Sequence, residues 1–283
     1  MSTMFGARVP FYKLQGCGND FVAIDNRVLR LPRELMAEWA RKVCPRAFGV
    51  GADGVFFLEL PPKGLAADYI WHFYNADGSR AEMCGNASRC AGRLAYALGL
   101  GGVRSVLGAD AGTIAIEVLP EIDQVKVQLT APVDLRLNEH ITVLDRDTEV
   151  HFVNTGVPHA VIYVDKLAEY EVATMGRAVR FHSHFAPAGT NVNFVQVVDR
   201  EHTLVRTYER GVEAETYACG TGVSAVQVVS AALGKTGDRV ANTTTGGEVL
   251  TTSLEGGRVY LQGAAELTFT GELNATALGL PLP

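Results

Sequence analysis

Three blocks of this chain recur in the same order about 140 residues further on. Gly16–Asp25 (GCGNDFVAID) lies over Gly156–Asp165 (GVPHAVIYVD) at an offset of 140, each a polar turn feeding an apolar strand that closes on Asp. The same offset sets Gly49–Val55 on Gly189–Val195. At an offset of 135, Met83-Cys-Gly-Asn-Ala87 falls on Ala218-Cys-Gly-Thr-Gly222, and the stretch after each runs on to Leu-Gly, at Leu98-Gly99 and Leu233-Gly234. Collinear repetition of this kind means a duplicated unit, so the fold has to be one that accommodates two copies of a single supersecondary plan. The length of 283 residues agrees, being about two domains at ~150 residues each.

Within each copy, strands outnumber helices. Leu35, Met36, Trp39 and Val43 recur at helical spacing and predict a helix over 33–43. Residues 55–60, 113–119, 124–130, 160–164, 192–198, 203–208 and 258–262 read as strands. The helix expected after Cys84 carries an apolar stripe of Ala87, Cys90, Ala91, Leu94 and Leu98, with Gly99 where a C-terminal glycine belongs. Its counterpart, GVSAVQVVSAALG after Cys219, has no charge and should be buried on nearly every side. The expected fold is therefore α+β: two pseudo-twofold-related domains, each a curved mixed sheet or barrel around one central helix. Pro132 and the polar run Asn138 to Asp147 read as the connection, which puts one domain at 1–131 and the other at 132–264.

Composition narrows the function. With 47% apolar and 20% charged residues the chain can bury a full core, and a net charge of −6 argues against partners such as nucleic acid or an anionic membrane surface. The N-terminal stretch has no apolar h-region and no segment approaches the ~18 apolar residues that span a bilayer, so the expectation is a cytoplasmic protein. Five cysteines, Cys17, Cys44, Cys84, Cys90 and Cys219, show no CxxC spacing. Neither a disulfide framework nor a metal site is indicated; any working thiol should be a reactive group in a reducing compartment.

Cys84 and Cys219 hold equivalent places, each followed by glycine at the start of an expected helix. A helix N-terminus carries roughly half a positive charge, which favours a thiolate and lowers its pKa from ~8.5. Gly85 and Gly220 let the first-turn N–H groups come close to an anion. Paired about a pseudo-twofold axis, the halves would offer two opposed thiols. That arrangement suits inversion at an amino-acid α-carbon, one thiolate taking the proton and the opposite thiol returning one. The two helix starts would stabilise charge developing on the α-carboxylate, with no cofactor needed. The competing reading is burial as small hydrophobes, the usual state of a cysteine and the expected one for Cys17, Cys44 and Cys90.

These residues resemble the diaminopimelate epimerase family. The resemblance runs from about residue 11 to about 275 through Gly18-Asn-Asp-Phe21, Gly49-Val-Gly-Ala-Asp-Gly54, Phe73-Tyr-Asn-Ala-Asp-Gly-Ser79, Met83-Cys-Gly-Asn86 with Arg89-Cys90, Gly156 with Pro158-His159, Asn191-Val192, Tyr208-Glu-Arg-Gly211 and Ala218-Cys-Gly-Thr-Gly222. It implies a cofactor-independent isomerase of lysine and peptidoglycan precursor synthesis that interconverts LL- and meso-2,6-diaminopimelate, with Cys84 and Cys219 as its acid–base pair. It further implies that Asn19, Asn75, Asn191 and Arg210 hold the substrate's non-reacting end. Gly85-Asn86 and Gly220-Thr221 match the cradles of the reacting carboxylate, and His159 and Glu209 match groups that tune Cys84 and Cys219 respectively. A homodimer is implied, as is a C-terminal strand near 265–283 that rejoins the first domain. Val157 stands where many members have an asparagine that binds the distal end, and Asn154 is the residue placed to compensate. A proline or hydroxyproline racemase of the same fold has no need of a distal carboxylate clamp, a phenazine-type isomerase usually lacks the cysteine pair, and a cysteine hydrolase leaves the second Cys-Gly unexplained. A non-catalytic carboxylate-binding module is the remaining alternative.

Overall fold

The computed structural model describes residues 6–80 and 83–283. By its contacts the chain divides into two units, Met1–Val127 with Ala264–Pro283, and Gln128–Gly263. The first contains β1 (Arg8–Gly16), β2 (Asn19–Asp25), α1 (Asn26–Leu29), α2 (Arg33–Val43), β3 (Gly54–Glu59), β4 (Tyr69–Asn75), α3 (Gly85–Ala97), β5 (Arg104–Ala109), β6 (Gly112–Leu119) and β7 (Gln124–Gln128). The second contains β8 (Val133–Val143), β9 (Arg146–Asn154), β10 (Pro158–Tyr163), α4 (Val172–Arg180), β11 (Asn191–Val197), β12 (His202–Glu209), β13 (Ala214–Thr216), α5 (Gly220–Ala232), β14 (Arg239–Thr243), β15 (Val249–Glu255) and β16 (Arg258–Ala264). A last strand, β17 (Glu266–Asn274), pairs antiparallel with β1 and so belongs to the first unit.

The pairing pattern is the same in both units. In the first, β1 is antiparallel to β2, β2 parallel to β3, β3 antiparallel to β4, β4 parallel to β5, and β5, β6 and β7 follow antiparallel. In the second, β8, β9 and β10 are antiparallel in turn, β10 is parallel to β11, β11 antiparallel to β12, β12 parallel to β14, and β14, β15 and β16 antiparallel. Each sheet packs on one face against its own helix, α3 or α5, which is buried along most of its length. On the other face lies α2 or α4. The chain thus adopts the expected α+β class, a mixed sheet around a central helix in each unit.

Burial on both faces explains the sequence of the inner strands. β3 (GVFFLE) reads as a continuous apolar run because neither side meets water. The period of two still sorts side chains by face: Val22, Ile24, Ala160, Ile162, Val192 and Phe194 go to the α2 or α4 layer, which turns His159, Asn191 and Asn193 toward the central-helix side. α2 buries Met36, Trp39, Ala40 and Val43, and α4 buries Val172, Met175, Gly176 and Val179, the same spacing. Gly176 is required there, since a Cβ would stand 2.4 Å from the Cβ of Tyr208.

The polar run Asn138 to Asp147, expected to be a connection, is instead a β-ribbon. β8 and β9 pair from Val133 to Asn154 and reverse at Leu144-Asp145, both with positive φ. Most of β8 is exposed, so it never needed the apolar alternation that marks a half-buried strand.

Trp39 is fully buried and its indole N–H donates to the Pro281 carbonyl at 2.8 Å, tying the C-terminal segment to α2. Trp39→Ala should lower stability by about 3–5 kcal/mol in urea unfolding, and Trp39→Phe by a smaller amount, roughly 1–2 kcal/mol, for the carbonyl left without its donor.

Candidate active site

Most helices begin with a side-chain oxygen that accepts a first-turn N–H. Here α3 and α5 begin with cysteine. Cys84 and Cys219 hold the N-cap positions with extended backbone (φ −146°, ψ 119° and φ −118°, ψ 108°), and neither side chain caps its helix. The first-turn N–H groups of two buried helices are therefore left to other acceptors, which makes each start an anion site next to a sulfur. Sequence position and backbone conformation agree between the two; burial differs, Cys84 being half-buried and Cys219 buried.

In the first unit the Cys84 thiol lies 3.7 Å from Asn19 Oδ1, and Asn86 Nδ2 donates to the same oxygen at 3.3 Å. Asn19 is held by Asp53, whose Oδ2 accepts from Asn19 Nδ2 at 2.5 Å. Asp53 and Asp20 are locked reciprocally, each backbone N–H donating to the other's carboxylate. Lys13 closes this arrangement by contacting both Asp20 and the Gly51 carbonyl. Asn86 is buried, and its Oδ1 has no hydrogen-bond partner among the described residues. Asn75, at the end of β4, pairs with Gly54 beside Asp53, and its amide donates to Ser79 Oγ at 3.0 Å.

Arg89 was not singled out by the sequence for any role. It is fully buried beneath the start of α3, where it donates to the carbonyls of Gly85 and Ala264 and lies 3.3 Å from Cys17 Sγ. A guanidinium stays charged, so it adds positive potential beside the first turn of α3. An arginine among small residues in a stripe-bearing helix was the available signal.

In the second unit, His159 Nε2 and Thr221 Oγ1 are 2.9 Å apart, and Thr221 Oγ1 is 3.5 Å from Cys219 Sγ. Thr155 fixes the Thr221 carbonyl at 3.0 Å. His159 is fully buried, and burial, helped by Arg210, pushes its pKa down to about 3, so the ring is neutral near pH 7. The resemblance pairs His159 with Cys84; within its own unit its hydrogen bonds go to Thr221 and to Asn193, which the sequence also left unassigned. Asn191 bridges the Pro158 carbonyl and the backbone N–H of Arg210. The Arg210 guanidinium donates to the Ala188 carbonyl at 3.1 Å and has no carboxylate partner among the described residues. Glu209 accepts from Thr216 Oγ1 at 3.0 Å. Asn154 Oδ1 accepts the Gly156 N–H at 2.9 Å, which fixes the turn that carries Val157.

Two other cysteines are chemically quiet. Cys90, fully buried in α3, and Cys44, at the end of α2, are both pushed up to about 12 by burial.

The family model for diaminopimelate epimerase matches residues 11–134 and 151–268. The chain belongs to the diaminopimelate epimerase family. The diaminopimelate epimerase of Aquifex aeolicus is 44% identical over 278 residues, covering 95% of this chain and 99% of the relative. Among solved structures, a phenazine biosynthesis protein of the PhzF family from Bacillus anthracis superposes with a TM-score of 0.73 at 15% identity, covering 94% of this chain and 99% of that one. A hydroxyproline epimerase from Agrobacterium vitis, solved with trans-4-hydroxy-L-proline, gives 0.69 at 16% identity, covering 94% and 92%. These two share the fold; membership of the diaminopimelate epimerase family rests on the sequence. No helix among the described residues is long and apolar enough to cross a membrane.

Two outcomes follow for this family member. In the folded protein Cys44 and Cys90 should resist iodoacetamide at about pH 8, because a thiol held near 12 offers almost no thiolate; peptide mass spectrometry reads this directly. Because the folded pKa of His159 lies below its unfolded value, the unfolded chain binds the proton more readily as acid is added. The stability that depends on neutral His159 is complete above about pH 6.5 and declines toward pH 3, by up to ~1.4 kcal/mol per pH unit. His151, shifted the same way by partial burial, adds to the slope. Urea midpoints between about pH 7 and pH 5 should fall, and His159→Gln should flatten part of that fall.

Proposed function

We propose that the protein is a cofactor-independent isomerase that interconverts LL- and meso-2,6-diaminopimelate by moving one α-proton between Cys84 and Cys219. The observation that carries this reading is the matched pair of N-cap cysteines on α3 and α5, in a chain of this family. The α-proton of an amino acid is weakly acidic, and its removal places negative charge on the carboxylate. The N–H groups of Gly85-Asn86 and Gly220-Thr221 are the donors for that charge, and they act without reorganising because each helix is locked inside a sheet. A helix start favours the thiolate form, which suits a pair in which one group serves as base and the other as acid.

The substrate's second amino-acid head is assigned to Asn19, Asn75, Asn191 and Arg210, with Asn154 and Val157 on the adjoining turn. Arg210 supports this, because its backbone is anchored by Asn191 and no protein carboxylate among the described residues neutralises it. A guanidinium in that state suits a bidentate carboxylate. The same residue separates this reading from a proline or hydroxyproline racemase, whose substrate has no distal carboxylate. The buried, unpartnered Oδ1 of Asn86 is an acceptor for an ammonium hydrogen. Glu209 is assigned to tuning Cys219, and His159 to tuning the thiols through its hydrogen bonds. The reading includes a homodimer in the cytoplasm, which sedimentation at twice the chain mass would check for its oligomeric half.

Purified protein kept reduced should convert LL-diaminopimelate to meso-diaminopimelate with no pyridoxal phosphate added, and should leave L-proline and trans-4-hydroxy-L-proline unchanged. Cys84→Ala and Cys219→Ala should each lower kcat at least about a thousandfold, and Arg210→Met should act mainly on KM. Turnover of proline instead, or full activity in either cysteine variant, would reject the reading.

A further inference from the structure

The second unit contains a run of hydrogen bonds whose direction is fixed from one end. Asn193 is fully buried on β11. Its amide nitrogen is identified by the Ala160 carbonyl, 2.9 Å away, which can only accept, and its oxygen by the Thr207 hydroxyl, which donates at 3.0 Å. The same NH2 lies 3.2 Å from His159 Nδ1. An amide NH2 cannot accept, so Nδ1 carries no proton, and in a neutral ring the proton sits on Nε2. Nε2–H then donates to Thr221 Oγ1. Having accepted there, the Thr221 hydroxyl turns its own proton toward its other polar neighbour, Cys219 Sγ, at 3.5 Å.

The first unit has the opposite polarity. Asn19 gives its NH2 to the Asp53 carboxylate and so presents its oxygen to Cys84. A carbonyl oxygen accepts a thiol proton and repels a thiolate, whereas a donating hydroxyl stabilises a thiolate. Among the described residues, the charged groups near Cys84 are Arg89, which favours a thiolate, and Asp53 and Asp20 with Lys13; the atom against the sulfur is the Asn19 oxygen.

We propose that Asn193 is a positioning residue which, through His159 and Thr221, holds Cys219 as the thiolate in the ligand-free protein, while Asn19 holds Cys84 as the thiol. The inference rests on the two-thiol reading above and deepens it by naming the resting protonation state. The proton count balances: the substrate's α-proton forms a new S–H bond on Cys219, and the Cys84 S–H proton passes to the opposite face of the carbon. After turnover the two sulfurs have exchanged states, and the network favours return to the first.

The packing is built for this direction. Gly222 permits it, since a Cβ there would stand 2.3 Å from Asn193 Oδ1. Among the described residues, the titratable and charged groups on the elements around Cys219 include neutral His159 on β10, Glu209 and Arg210 at the end of β12, Tyr217 just before the helix, and Glu215, which Arg206 neutralises. Thr216 donates to Glu209, and Arg210 donates to the Ala188 carbonyl.

The test uses the full-length, reduced, ligand-free protein. Nitrogen-15 NMR of the His159 ring, assigned by its loss in His159→Gln, should show an unprotonated Nδ1 and a protonated Nε2. The pH–rate profile of iodoacetamide alkylation, resolved by peptide mass spectrometry, should place the Cys219 midpoint at least about one pH unit below that of Cys84, although Cys219 is the less exposed. Thr221→Val should raise the Cys219 midpoint by a similar amount, and Thr221→Ser should restore it. Asn193→Asp, whose carboxylate accepts from Nδ1–H, should move the ring proton and raise the same midpoint. A protonated Nδ1 in the unaltered protein, a Cys219 midpoint at or above that of Cys84, or no shift in Thr221→Val would overturn the proposal. Epimerisation with any of those results rejects this proposal alone. The stated tautomer and midpoints without epimerisation reject the functional reading and leave the network standing.

Discussion

Everything in this molecule depends on burying a helix start that has no cap. A helix enclosed by a sheet cannot send its first N–H groups to bulk water, and a cysteine at the N-cap is a poor acceptor for them. The chain meets this cost twice, at Gly85-Asn86 and at Gly220-Thr221, and in each unit the rest of the fold serves to keep that start in place. The mixed sheets enclose the helices, the outer layers of α2 and α4 stiffen the sheets, and the polar side chains of the inner strands are turned toward the helix side by the period of two. What a capping side chain would neutralise is thereby kept available for an anion.

Much of this was legible because it is written twice. The helix expected over 33–43 is α2 with those ends, and the Cys-Gly helix starts are α3 and α5. The strands over 55–60, 192–198 and 203–208 appear within a residue or so as β3, β11 and β12. What escaped has physical reasons. The β8–β9 ribbon is mostly exposed and so lacks an apolar pattern. α4 repeats the burial spacing of α2 but carries Gly176 where α2 has Ala40, because the helix approaches Tyr208 too closely for a side chain, and glycine weakens the helical signal.

The site was legible at its sulfurs and much less so at its supports. Cys84 and Cys219 declare themselves by context, and Asn19, Asn191 and Arg210 by family motif. Asn193 does not, and Arg89 stands inside a family motif without a role, because a buried asparagine in a strand or arginine in a helix reads as an irregularity until its partners are known. The partners give it meaning: Asp53 orients Asn19, Ala160 and Thr207 orient Asn193, and the two amides turn opposite atoms toward their neighbours. Two units of one topology thus surround their thiols with different polarity. That difference suits a reaction in which one group must begin as acid and the other as base.

The central claim is that two different groups handle the proton, and the isotope content of the first product formed tests it most directly. In D2O, LL-diaminopimelate turned over once should give meso product carrying solvent deuterium at the inverted carbon, while unreacted substrate recovered at the same time keeps its protium. Product that retains the substrate's own proton would mean that a single group removes and returns it, and would contradict the account.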